Sequence, residues 1–209
     1  ADHSGFDKRR TVKIETSVNL DYEIPFLKGL KAGMFFSWDW DDTAKKKISY
    51  PYKVMRYYPH LKSYGYEYTD SMRKGGIMIQ SDDKYQQLIL RPSISYHGEF
   101  GKHHVNGLLL YEQTTRKSSN FSANRTDFIL FDIPELDFGS KIHPSDGNHG
   151  GSNESAYAGF VGRFNYSYAS KYLAEFTFRY DGSYKFAEDN RWGFFPSVSL
   201  GYVMSEENF

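Results

Sequence analysis

Cysteine is absent from the 209 residues, which excludes a disulfide framework and thiolate metal sites. No run of about 20 apolar residues is present, so the chain does not cross a membrane as helices. Lys plus Arg and Asp plus Glu number 26 each. The resulting zero net charge gives no electrostatic footprint for nucleic acid, and none is expected as a partner. The opening ADHSGFDKRR lacks the apolar core of a signal peptide, so an exported protein would have lost its signal or would carry it upstream. Hydrophobic residues make up 39%, low for a globular core, yet aromatics reach 18%, with 18 Tyr and 17 Phe.

Those aromatics are placed with period two. From Ala158 the even positions read Ala158, Phe160, Gly162, Phe164, Tyr166 and Tyr168, against Arg163, Asn165 and Ser167. After Ala169-Ser170 the pattern resumes with Tyr172, Ala174, Phe176, Phe178 and Tyr180, and returns as Trp192, Phe194, Pro196, Val198, Leu200 and Tyr202. Successive strand side chains point to opposite faces, so each segment has one aromatic-rich face and one polar face. A barrel hides its hydrophobicity in every second residue, which keeps mean hydropathy low while one face is wholly apolar. The pattern predicts an all-β protein, an antiparallel transmembrane β-barrel segment. A soluble β-sandwich with aromatic core faces is the competing fold.

Seven strands are predicted, over residues 10–22, 30–40, 86–97, 103–114, 157–168, 171–182 and 192–203. The connections alternate between tight turns and long polar stretches, 41–83 and 115–154. Bacterial barrels have short periplasmic turns and long extracellular loops. Tyr22, Trp38, Trp40, Tyr96, Tyr111, Tyr168, Tyr172, Tyr180, Trp192 and Tyr202 lie near strand ends, as interfacial girdles require. Single-chain bacterial barrels have even strand numbers, and open edges are not tolerated in lipid. Residues 1–209 are therefore expected to be one part of the β-barrel domain of a larger barrel. Pro92 and Pro196 suggest local bulges, because proline cannot donate to a ladder with neighbours on both sides.

From Lys171 onward, KYLAEFTFRYDGSYKFAEDNRWGFFPSVSLGYVMSEENF closely resembles the SusC/RagA family of TonB-dependent outer-membrane transporters. The matching positions are Lys171, Tyr172, Leu173, Glu175, Arg179, Asp181 to Ser183, Phe186, Asp189 through Ser199, Gly201, Tyr202 and Ser205 to Glu207. The FVGRFNY run of Phe160 to Tyr166 also fits, with weaker agreement at Pro25 to Leu30 and Leu108 to Gln113. The resemblance implies a roughly 22-stranded barrel with a plugged lumen in a Gram-negative outer membrane. It implies uptake of oligosaccharides or oligopeptides with a SusD-like surface lipoprotein, energised by TonB. No plug, N-terminal domain or TonB box is recognisable, so TonB would act through parts not in this chain. A structural or adhesive barrel, or a secreted carbohydrate-binding sandwich, are the rival readings.

No nucleophile elbow, phosphate loop or catalytic triad is present, and neither an enzyme nor a cofactor is expected. Arg163, Glu175, Thr177 and Arg179 fall on the predicted lumen face, where cross-strand ion pairing accounts for the charges of Arg163, Glu175 and Arg179. His103-His104 and the His143 to His149 stretch lack metal-ligand geometry. Asp181-Gly182-Ser183 with Asp189-Asn190 misses the calcium-loop spacing and is expected to be a turn. Tyr57, Tyr58, Tyr64, Tyr66 and Tyr68, in the first long stretch, are the candidate ligand contacts. Tyrosine offers a flat apolar ring and a hydroxyl, suited to a sugar or a peptide, although a loop also uses such residues for its own packing.

Overall fold

The computed structural model describes residues 5–68, 75–128, 132–141 and 147–207. Nine strands form: β1 (Gly5–Glu23), β2 (Leu30–Ser49), β3 (Lys53–Tyr58), β4 (Ser63–Tyr68), β5 (Ile77–Phe100), β6 (His103–Thr126), β7 (Gly147–Tyr168), β8 (Tyr172–Ser183) and β9 (Trp192–Tyr202). Seven of them make one sheet in the order β1-β2-β5-β6-β7-β8-β9, while β3 and β4 pair separately as a hairpin. Each main-sheet strand lies beside its neighbour in chain order once the hairpin is set aside. This is the up-and-down arrangement of a barrel wall. Among the described residues, no helix is long and apolar enough to cross a membrane, which says nothing of strands.

Four strands run well past the limits of the apolar alternation. β2 continues to Ser49, β5 begins at Ile77, β6 reaches Thr126 and β7 starts at Gly147. The hydrophobic pattern stops near Trp40 of β2 and begins near Gln86 of β5, but the backbone ladder runs beyond both. Polar side chains carry the cross-strand contacts there: Lys13 with Asp41 at 3.6 Å, Thr11 with Thr43 at 3.1 Å and Lys45 with Asp83 at 3.3 Å. Strands β8 and β9 stay short, at 12 and 11 residues, close to what a tilted span of the hydrocarbon requires.

The chain divides into two compact units. The first comprises Ala1–Lys13, Asp41–Tyr85 and Ser118–Asn153 and holds the strand extensions and the β3–β4 hairpin. Its small core is Ile48, Met78 and Phe128, all buried, with Phe6, Tyr50 and Leu136 packed around them. Phe6, Ile48 and Met78 come from even positions of β1, β2 and β5, and a short 3₁₀ turn at Leu136–Phe138 contributes the covering residue Leu136. The Lys46 ammonium holds Glu135 at 2.8 Å beside that turn.

The second unit comprises Ile14–Trp40, Gln86–Lys117 and Glu154–Phe209. Its turns at 24–29, 101–102 and 169–171 are tight. At β7–β8, Ala169 and Ser170 both take positive φ, 52° and 58°, and the Lys171 N–H closes the turn on the Tyr168 carbonyl. Gly29, with φ 86°, brings its turn against β5, where its carbonyl accepts the His97 N–H at 2.8 Å.

The register fixes two faces. Phe164 pairs with Phe176, Phe176 with Val198, and Phe178 with Pro196, so the aromatic positions share one face. Phe176 is still 39% exposed, unlike a residue sealed between sandwich sheets. Aromatic clusters close both ends of that face. Tyr168, Tyr172 and Tyr202 line up by the β7–β8 turn, while Tyr180 stacks on Trp192 at 4.9 Å at the opposite end. The expected bulge at Pro196 is not formed, because β9 pairs with β8 without a register break from Trp192 to Tyr202. The ladder can pass through Pro196 where its nitrogen points away from β8.

Candidate functional site

The tyrosine-rich stretch read as a loop is a regular hairpin, and its register sorts the five tyrosines. Tyr57 pairs with Tyr64, Met55 with Tyr66 and Lys53 with Tyr68, whereas Tyr58 pairs with Ser63. Directly paired residues share a face, so Tyr57, Tyr64 and Tyr66 lie together with Met55. The Tyr57 and Tyr64 rings are 5.0 Å apart and tilted by 50°. Tyr64 and Tyr66 are about 70% exposed, which leaves an open aromatic surface.

Tyr58 takes the opposite face and does different work. Its ring lies over Gly65, where an added Cβ would come 2.9 Å from a ring carbon. Its hydroxyl donates to Glu67 Oε1 at 2.5 Å, and Arg56 holds the other carboxylate oxygen at 3.0 Å. The hydrogen bond to Glu67, with burial and the carboxylate charge added, raises the Tyr58 phenol above its usual pKa. Tyr58 thus braces the hairpin that presents the other tyrosines.

On the polar face of the second unit, Arg163 donates to Glu175 at 2.9 Å, across the β7–β8 ladder. Thr177 lies opposite both Arg163 and Ser197. Arg179 grips Asp181 with two bonds of 2.9 Å in a fork-to-fork pair. Further along, Arg91 donates to Glu112 at 2.6 Å and Arg116 to Gln87 at 2.7 Å. The wall is therefore polar but internally paired. A hollow of about 580 Å³ opens on it, with Glu112, Tyr157, Arg179, Asp181, Phe186 and Phe195 among its lining. Phe195 is 62% exposed on this mostly polar face, opposite Arg179. It is an aromatic that the alternation rule does not select, since it occupies a polar-face position.

The histidines of the two stretches have separate partners. His103 bonds the Tyr166 hydroxyl at 2.7 Å, His104 lies 3.5 Å from Glu99, and His149 is exposed on β7; His143 lies outside the described residues. Among the described residues no group of three potential ligands could hold a metal.

No family model matches the chain. Individual relatives do. Over 50 residues, 24% of this chain, it is 56% identical to the TonB-dependent receptor SusC of Bacteroides thetaiotaomicron. Over 117 residues, 56% of this chain, it is 31% identical to TonB-dependent receptor P3 of Formosa agariphila. Those matches cover 5% and 12% of the two receptors, so the chain spans a small part of their length. The structure of the RagAB peptide transporter superposes with a TM-score of 0.75 at 20% identity, over 93% of this chain and 20% of that one. Its closed-closed state gives 0.74 at 21% identity.

The seven-stranded sheet is a segment of a β-barrel wall, and in the second unit it is apolar on one face and ion-paired on the other. The chain is SusC/RagA-like, similar in sequence to TonB-dependent receptors and in fold to RagAB.

Proposed function

We propose that this chain forms part of the barrel wall of an outer-membrane, TonB-dependent nutrient importer. The similarity to SusC at 56% identity carries the reading. The girdled apolar face and the paired polar face supply its physical sense: lipid on one side, and a water-filled or plugged lumen on the other. Arg163, Glu175, Thr177 and Arg179 then face the lumen. Their mutual pairing presents hydrogen-bonding groups without a strong field of one sign. The relatives are named as receptors and a transporter, which agrees with a role other than catalysis.

We further propose that the nutrient is an oligosaccharide or oligopeptide, taken up with a SusD-like lipoprotein. The open face of Met55, Tyr57, Tyr64 and Tyr66 suits either ligand, because rings stack on sugar or peptide planes while hydroxyls bond outward. Growth of a deletion strain on single glycans and on peptide mixtures, with and without the complemented gene, tests the reading. Loss of growth on one nutrient class, restored by the gene, is expected. Unchanged growth on every substrate, with the protein confirmed in outer membranes, would instead favour a structural or adhesive barrel.

A further inference from the structure

The apolar face of the second unit carries one notch. Gly107 on β6 is an outward position flanked by Tyr96 of β5 and Phe164 of β7, and a Cβ built on it would meet nothing within 4 Å. The neighbouring outward glycine, Gly162 of β7, is different: a Cβ there would collide with the Phe178 ring, which already covers it. The notch therefore opens into a groove of about 330 Å³ over Gly107, with Ile94, Leu109 and Phe176 completing its sides.

We propose that this groove seats one acyl chain of a glycerophospholipid from the periplasmic leaflet, with the lipid phosphate held at Lys102 and His103. The proposal rests on the membrane reading given above and adds a specific lipid site to it. Three observations lead there. The groove is continuous with the aromatic-girdled face, so in a bilayer its occupant is hydrocarbon. Its width is that of one missing side chain between flanking strands about 10 Å apart, which admits a single chain but not a helix some 10–12 Å across. A second barrel wall would meet the protruding Ile94, Leu109 and Phe164 before reaching the floor.

The third observation is charge at the correct end. β6 runs from Gly107 through Val105 to His103 on the same face, then into the turn at Lys102. Four to five residues of strand place these basic groups about 13–17 Å from the notch, at the level of the Tyr166, Tyr168 and Tyr172 girdle. Both are exposed. The Tyr166 hydroxyl occupies Nδ1 of His103, leaving Nε2 for an anion. The nearby carboxylate of Glu99 lies beside His97 and His104, at 3.7 and 3.5 Å. Tight turns mark the periplasmic end in such barrels, so the lipid is phospholipid and not the lipopolysaccharide of the opposite leaflet.

The test uses the complete outer-membrane protein containing this chain, purified in mild detergent and analysed by native mass spectrometry for retained phospholipid. Dioleoylphosphatidylglycerol is then titrated into delipidated samples. Gly107→Leu starts from an unobstructed Cβ position, puts a side chain into the groove and should weaken binding about tenfold or more. Gly107→Ala should fall between, and Lys102→Gln combined with His103→Gln should weaken binding while leaving the groove open. Equal lipid binding by wild type and Gly107→Leu overturns the site. So does a Gly107→Leu protein that changes oligomeric state with its lipid content unchanged, which would make the groove a seam between copies. Outer-membrane fractionation of the wild type is scored separately. Absence from that membrane defeats the importer reading, whereas a correctly located barrel indifferent to Gly107 defeats only the lipid site.

Discussion

Asp181 of β8 lies over Gly159 of β7: the two pair directly, and a Cβ on the glycine would collide with Asp181 Oδ1. On its other side Asp181 pairs with Gly193 of β9. The carboxylate thus has bare backbone on its β7 flank, which leaves room for the two-bond grip of Arg179, while the Phe195 ring covers Gly193 on the β9 flank. Gly159→Val should push the carboxylate off that grip and cost about 1–3 kcal/mol of barrel stability by overpacking. Asp181→Asn should cost less than about 1 kcal/mol, since the pair is solvent-accessible. Heat-modified gel mobility of the complete protein measures both. A larger loss for Asp181→Asn would show that the charge, not the space, matters here.

Sidedness gives a second outcome. Phe178 and Thr177 are neighbours on β8 but face opposite ways. If the apolar face meets lipid as proposed, Phe178→Arg places a charge against hydrocarbon and should cost about 2–4 kcal/mol near the bilayer midplane, reducing folded barrel in outer membranes. Thr177→Arg should leave the folded amount near wild type. Equal losses would contradict the assignment of the two faces.

The β7–β8 turn stores removable strain. Ala169 and Ser170 both have positive φ, a region that costs an ordinary L-residue about 1–2 kcal/mol. Asn-Gly is the pair best adapted to two such positions. Replacing Ala169-Ser170 with Asn-Gly should therefore stabilise the barrel and raise its heat-modification temperature, while Pro at Ser170 should lower it, because proline locks φ near −65°. No change from Asn-Gly would mean the turn relaxes in the assembled barrel.

The faces of β7, β8 and β9 were legible because period two is strongest where one side must be apolar. Past Trp40 of β2 and before Gln86 of β5 that requirement ends. Backbone pairing continues there with cross-strand polar contacts such as Lys45 with Asp83, which hydropathy does not register. The β3–β4 hairpin was hidden for a related reason. Tyr64, Gly65, Tyr66, Glu67 and Tyr68 do alternate, but Pro59 and the flanking polar residues made the stretch look irregular. That Tyr58 opposes Tyr57 followed from strand geometry once a strand was recognised. Phe195 escaped because an aromatic on the polar face breaks the rule used to find the strand.

The hairpin itself makes the fourth prediction. Hydrogen bonding to Glu67 raises the folded-state pKa of Tyr58, with burial and the Glu67 charge acting in the same direction. A group whose pKa is raised on folding contributes stability that is fully present below its unfolded value, about 10 for tyrosine. That contribution is lost as pH rises through the folded value, because tyrosinate can no longer donate to the carboxylate and instead repels it. Proteolytic nicking at the 59–62 turn should consequently stay slow at neutral pH and accelerate on the alkaline side. Tyr58→Phe removes the donor, so that variant should be nicked faster at neutral pH and show a weaker alkaline rise. Tyr66→Phe, on the other face of the hairpin, should behave as wild type. If Tyr58→Phe and wild type shared one pH profile, the hydrogen bond to Glu67 would not be what secures the hairpin.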